Sequence, residues 1–116
     1  MVPNGLTIIE SPYAGELERN RIYLARAIRH SVSLGEVPFA SHGFFTWVFD
    51  DRDPASRKLG IQLGYYFWPH AEKVVFYVDY GMSNGMEQAR HRLERYFEGM
   101  KTAVRRIGMN DSGNNY

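Results

Sequence analysis

No cysteine occurs anywhere in the chain. Disulfides, thiolate catalysis and cysteine-held metals are therefore excluded, and the composition fits a reducing compartment. No apolar run approaches the ~20 residues of a membrane-spanning helix, and the first residues lack the apolar core of a signal peptide. Charge of one sign is also missing: 14 Lys and Arg against 13 Asp and Glu leave a formal net charge of +1. The basic residues are spread along the chain, whereas an electrostatic nucleic-acid binder needs them in a stripe. Neither nucleic acid nor a membrane is an expected partner, and a soluble cytoplasmic protein is the expectation. With 116 residues the chain is long enough for one core and too short for two. Aromatic residues are abundant, 15% of the total, enough for some to line a ligand site or a subunit interface besides the core.

The pattern along the chain alternates strands with helices. Leu6-Thr7-Ile8-Ile9-Glu10 reads as a first strand that leaves the core at Ser11, before the turn-rich Ser11-Pro12-Tyr13-Ala14-Gly15. Residues 16–34 have helical periodicity, with Leu17, Leu24, Ile28 and Val32 on the expected buried face and Gly35 as C-cap. Residues 37–40 form a second short strand in which Pro38 suits a sheet edge. Residues 44–50 are ambiguous between helix and loop. Asp53-Pro54 supplies an N-cap and a proline at the first helical position. That helix is expected to run to Trp68, burying Leu59, Leu63, Tyr66 and Phe67. Residues 73–79 are the clearest strand and 86–98 the clearest helix, with Ala89, Leu93 and Phe97 on one face. Residues 102–107 read as a last strand. The expected domain is 1–107, with a disordered Asn-, Ser- and Gly-rich tail over 108–116. Strands alternating with helices imply an α/β fold: a parallel sheet of about four strands covered on both faces.

In such a sheet the loops at the carboxyl ends of the strands converge on one edge, where open α/β folds place ligands. The stretch Val-Val-Phe-Tyr-Val-Asp79-Tyr-Gly81-Met-Ser83-Asn-Gly85-Met-Glu87-Gln-Ala is a buried strand, a tight loop and a helix N-terminus, with a carboxylate on each side of the loop. Gly81 and Gly85 permit close approach of backbone to a ligand, and Ser83 offers a hydroxyl to a phosphate or sugar. Glu87 in the first helical turn can act as nucleophile at a sugar carbon, with a second acid assisting the leaving group. A plainer reading makes Glu87 a first-turn acid favoured by the helix dipole and Asp79 a strand-end loop residue. In the first loop, Ser11 and Gly15 precede a helix N-terminus that favours an anion, Tyr13 offers a ring for stacking and Arg19 or Arg21 adds charge about a turn later. Here too a simple turn with solvated arginines is the plainer reading. His42 lies on the same edge, as a phosphate ligand, a proton shuttle or a structural residue. The other histidines show no ligand spacing with carboxylates, and Asp50, Asp51 and Asp53 lack the glycine and distal glutamate of an EF-hand. No metal and no cofactor is expected.

Taken together, Ser11-Pro12-Tyr13-Ala14-Gly15 followed by Glu18-Arg19-Asn20, and Asp79 through Ala89, resemble the nucleoside 2-deoxyribosyltransferase-like superfamily, in particular its small, often phage-encoded branch. The similarity spans residues 8–107. It implies a flavodoxin-like or Rossmann-like three-layer sandwich, a site at the sheet edge usually completed by a neighbouring subunit, and hence a homo-oligomer in the cytoplasm of a bacterium or phage-infected cell. It further implies hydrolase or transferase chemistry: an N-glycosidase or deoxyribosyltransferase acting on a nucleoside or nucleoside 5′-monophosphate. Glu87 matches the nucleophile, Asp79 the loop aspartate and Ser83 the serine that holds a 5′-phosphate, while Tyr13 falls in the loop that approaches base and sugar. Two departures stand out. The helix before the third strand offers Gln62 where relatives often carry an aspartate, and Gln88-Ala89-Arg90 replaces a small, glycine-containing continuation. A non-catalytic nucleotide-binding protein is the alternative reading, and an interaction protein using the aromatics of residues 44–68 is a third.

Overall fold

The computed structural model describes residues 5–50 and 52–109. Four strands, β1 (Leu6–Glu10), β2 (Val37–Phe39), β3 (Lys73–Tyr77) and β4 (Lys101–Arg105), form one sheet in the order β2-β1-β3-β4, and every pairing is parallel. The helices are α1 (Leu17–Ser33), the short α2 (Ser41–Phe44), α3 (Pro54–Tyr65) and α4 (Asn84–Tyr96), with 3-10 turns at Phe45–Trp47 and Trp68–His70. The result is the expected Rossmann-like three-layer α/β sandwich.

Side-chain alternation along the strands divides the core in two. Ile8, Val74, Phe76 and Val78 face α4 and the turn after α3, where Trp68, Met86, Ala89 and Leu93 cover them. Ile9, Val75 and Tyr77 face α1, where Tyr23, Leu24 and Ala27 complete a second cluster. Trp68 is fully buried, and truncating such a side chain to alanine costs about 3–5 kcal/mol.

Local signals set the element boundaries. Gly35 has φ of +82° and its N–H bonds to the Val32 carbonyl, ending α1 where expected. Asp53 caps α3 by accepting from the Ser56 N–H, with Pro54 at the first position. Ser83 caps α4 by accepting from the Met86 N–H at 3.3 Å. Pro38 lies in β2, an edge strand as its missing donor requires.

Several expectations about burial are corrected. In α1 the buried face is Asn20, Tyr23, Leu24, Ala27 and Ser31, whereas Leu17 and Val32 are about half exposed. Small Ala27 and Ser31 let the helix approach the sheet, and the Tyr23 hydroxyl finds a partner there, so the packing rotates away from the larger aliphatics. In α3 the buried positions are Gly60 and Gly64, whereas Leu59, Tyr66 and Phe67 are exposed. A Cβ on Gly64 would lie 2.5 Å from the Ser41 Cβ, so the glycine is what allows α3 to close onto α2. The helix also stops at Tyr65, three residues short of Trp68, because the chain turns there to insert the indole into the core. Gly108 and Met109, expected in the tail, are packed, with Met109 buried in the α1-side cluster. The rest of the expected tail, like Asp51, lies outside the described residues.

Candidate functional site

The carboxyl ends of β1 and β3 lie side by side while their following helices diverge to opposite faces, the switch point at which such sheets bind ligands. A cavity of about 350 Å³ opens there. The end of β1 contributes Glu10, Ser11, Tyr13 and Ala14, and the start of α2 contributes Ser41 and His42. From α3 and the turn after it come Arg57, Ile61, Tyr65 and Trp68. The first turns of α4 supply Ser83, Asn84, Gly85, Met86 and Gln88. A wider hollow of about 580 Å³ runs along α1 beside Arg26, Arg29 and Ile107, but it is more open and includes no strand end.

Glu10 is the acid of this cavity. Strand alternation puts it on the same side as Ile8, toward α3, and burial pushes its pKa up to about 8, so the carboxyl is protonated at neutral pH. Nothing in the periodicity marked it. The available signal was a charged residue closing the apolar run Leu6-Thr7-Ile8-Ile9, directly before the first motif. His42 is held beside Ser11, with Nε2 and the serine Oγ 2.8 Å apart, and the Tyr13 ring meets the imidazole edge-on at 6.2 Å. Burial pushes the imidazole down to about 4, so it is neutral at physiological pH and can both donate and accept. Of the expected binding residues, Ser11, Tyr13, His42, Ser83 and Gly85 line this cavity together.

The others are placed elsewhere. Gly15 borders an adjoining hollow and not this cavity, and Gly81 forms an exposed turn at φ +83°. The Arg19 guanidinium stacks over the Tyr80 ring at 4.1 Å and reaches the Asn20 side chain. Asp79 is committed to the fold: its carboxylate accepts from the Tyr23 hydroxyl at 2.6 Å and from the N–H groups of Ile107, Gly108 and Met109. Burial acts to raise its pKa, but those hydrogen bonds outweigh burial and hold it below the ordinary carboxylate value. Asp79 thereby ties the segment after β4 to the end of β3. Glu87 is not among the residues that line the cavity, and by α-helical geometry it points about 60° around the helix from the lining residue Asn84. Its carboxylate is paired with Arg90 at 2.6 Å. Among the described residues no group of three or more His, Cys, Asp and Glu is arranged to hold a metal ion.

A second charged centre lies under α1. The Glu36 carboxylate takes both Arg105 guanidinium nitrogens at 2.6 and 2.8 Å, the Lys73 ammonium at 2.5 Å and the Ser31 hydroxyl at 2.7 Å. The Arg105 hydrogen bonds, opposed by burial and joined by those from Lys73 and Ser31, hold its pKa down at about 2. The aromatic stretch divides as well. Trp68 is core and Tyr65 lines the cavity, while Trp47 and Tyr66 are largely exposed.

The family model described as a domain of unknown function (DUF7768) matches residues 5–105. The chain belongs to this family. No curated protein and no solved structure matches it. The matched DUF7768 span runs from the residue before β1 to the end of β4, so it contains the whole sheet and every group that lines the cavity. No helix among the described residues is long and apolar enough to cross a membrane.

Proposed function

We propose that the cavity binds a nucleoside or nucleotide and that the protein breaks its N-glycosidic bond, by hydrolysis or by transfer to a second base. The observation that carries this reading is Glu10, a carboxyl kept protonated at neutral pH inside a ligand-sized cavity at the sheet's switch point. The two motifs that resemble deoxyribosyltransferase-like proteins support it, since both border that cavity. Glu10 donates its proton to a nitrogen of the departing base, and the base leaves neutral as the C1′–N bond breaks. Glu87 is paired with Arg90. On exchanging that partner for the sugar it captures the anomeric carbon, and water or a second base then releases the product, with Glu10 taking back a proton. Tyr65 and Tyr13 supply ring faces for a base, while Ser11, His42 and Asn84 supply hydrogen bonds to the sugar. Asp79 receives no chemical step, because its carboxylate is already occupied by four hydrogen-bond donors of the fold.

One observation favours a second reading, a nucleotide-binding protein without turnover: the proposed nucleophile is paired with Arg90 instead of facing the cavity. A panel of nucleosides and 5′-monophosphates separates the two. Catalysis gives free base by chromatography with wild type and none with Glu10→Gln or Glu87→Ala, both variants keeping the wild-type circular dichroism. Ligand-dependent thermal stabilisation without base release, even over long incubation, supports binding alone. If no member of the panel stabilises the protein or loses its base, both readings fall.

A further inference from the structure

Besides the phenols of Tyr13 and Tyr65, the ionisable groups that line the cavity are a carboxyl, an imidazole and a guanidinium, from Glu10, His42 and Arg57. Burial keeps the first two uncharged at neutral pH, so the lining carries one net positive charge, on Arg57. Among the described residues no carboxylate forms an ion pair with it. Arg52 pairs with Asp50, Arg90 with Glu87 and Glu94, and Arg105 with Glu36, whereas Arg19 and Arg92 stack on tyrosine rings. No described carboxylate or ring engages the Arg57 guanidinium; only its backbone N–H is used, to the Asp53 carbonyl. Arg57 also borders two further hollows, one beside Phe49 and Ser56 and one beside Gly15 and Asp50. A guanidinium that lines a cavity and has no described ion-pair partner favours an anionic ligand, and its fork of donors matches phosphate.

We propose that Arg57 is a specificity-determining residue that makes this cavity select a phosphorylated ligand, a nucleoside 5′-monophosphate over the free nucleoside. The base and sugar part rests on the nucleotide reading above; the anion part rests on Arg57 and the cavity alone. Arg57 is solvent-accessible on the second turn of α3 and contributes nothing to the core, so its replacement leaves the fold intact.

Calorimetry at low salt and pH 7 compares wild type, Arg57→Gln and Arg57→Lys against a nucleoside, its 5′-monophosphate and inorganic phosphate. Wild type should bind the monophosphate at least about tenfold more tightly than the nucleoside, a difference expected of one charge-assisted contact. Arg57→Gln should remove that advantage without changing nucleoside affinity, and Arg57→Lys should keep part of it, retaining the charge but not the planar fork. Added salt should weaken the monophosphate and leave the nucleoside unchanged. An advantage that survives Arg57→Gln, or none in wild type, overturns the proposal. If neither nucleoside nor monophosphate binds, the nucleotide reading has failed, and inorganic phosphate decides the anion site by itself. Saturable phosphate binding weakened about tenfold by Arg57→Gln upholds it, and phosphate binding that is absent or unchanged overturns it.

Discussion

Replacing Glu10 with glutamine should make the protein more stable in alkaline solution while removing its proposed chemistry. The carboxyl titrates at about 8 in the fold against an ordinary 4.5. Between those values the folded chain holds a proton that the unfolded chain has released, so stability falls as pH rises. At about 1.36 kcal/mol per pH unit, the gap corresponds to about 5 kcal/mol once both states are ionised. Between pH 5 and pH 9, where the titration is incomplete at both ends, the change expected from this group is about 4 kcal/mol. Glutamine fills nearly the same volume and does not titrate. Urea unfolding of wild type and Glu10→Gln across that range should give a difference that grows by about 4 kcal/mol in favour of the variant. Other titrating groups are common to both proteins and cancel. Base release by wild type should fall above about pH 8, as the acid loses its proton. A stability difference that varies by less than about 1 kcal/mol across the range would refute burial as the state of Glu10, and with it the acid assigned to the reaction.

Glu36 should behave in the opposite sense. Its pKa of about 2 contributes about 3 kcal/mol of stability above pH 4.5, which is lost as pH falls toward 2. Glu36→Gln should cost about 3 kcal/mol or more at pH 7, because Arg105 and Lys73 keep their positive charges without a counterion, and should flatten the acid limb of the unfolding profile. Gly64→Ala should destabilise by about 1–3 kcal/mol through the collision with Ser41 and weaken ligand binding by pushing α3 off α2, and Ser41→Gly should restore much of both.

The strands and caps were legible in the residues because their determinants are local. Lys73 to Tyr77 is a β-branched and aromatic run, Asp53-Pro54 is a cap signal, and Gly35 supplies the positive φ that ends α1. The alternation of elements then leaves little choice but a parallel sheet with its loops on one edge, and five of the expected binding residues do meet there. Burial on helices was less legible, because apolar character alone favours Leu17 and Val32 over Ala27 and Ser31. Close helix packing rewards small side chains and a tyrosine that can reach Asp79.

By itself the sequence determined the fold class, the strand-end loops and the helix starts, each written in a few neighbouring residues. Only the tertiary structure decided which acids are chemically available. Asp79 and Glu87 stand out in the motif, yet one is occupied by donors from residue 23 and residues 107–109, and the other is paired along its own helix. Glu10 looks ordinary at the end of β1, yet burial against the helical layer keeps it protonated. Arg57, from a helix more than forty residues later in the chain, brings to the cavity a guanidinium with no ion-pair partner among the described residues. Protonation and charge balance depend on what surrounds a group in space, and neighbours in sequence specify only a small part of those surroundings.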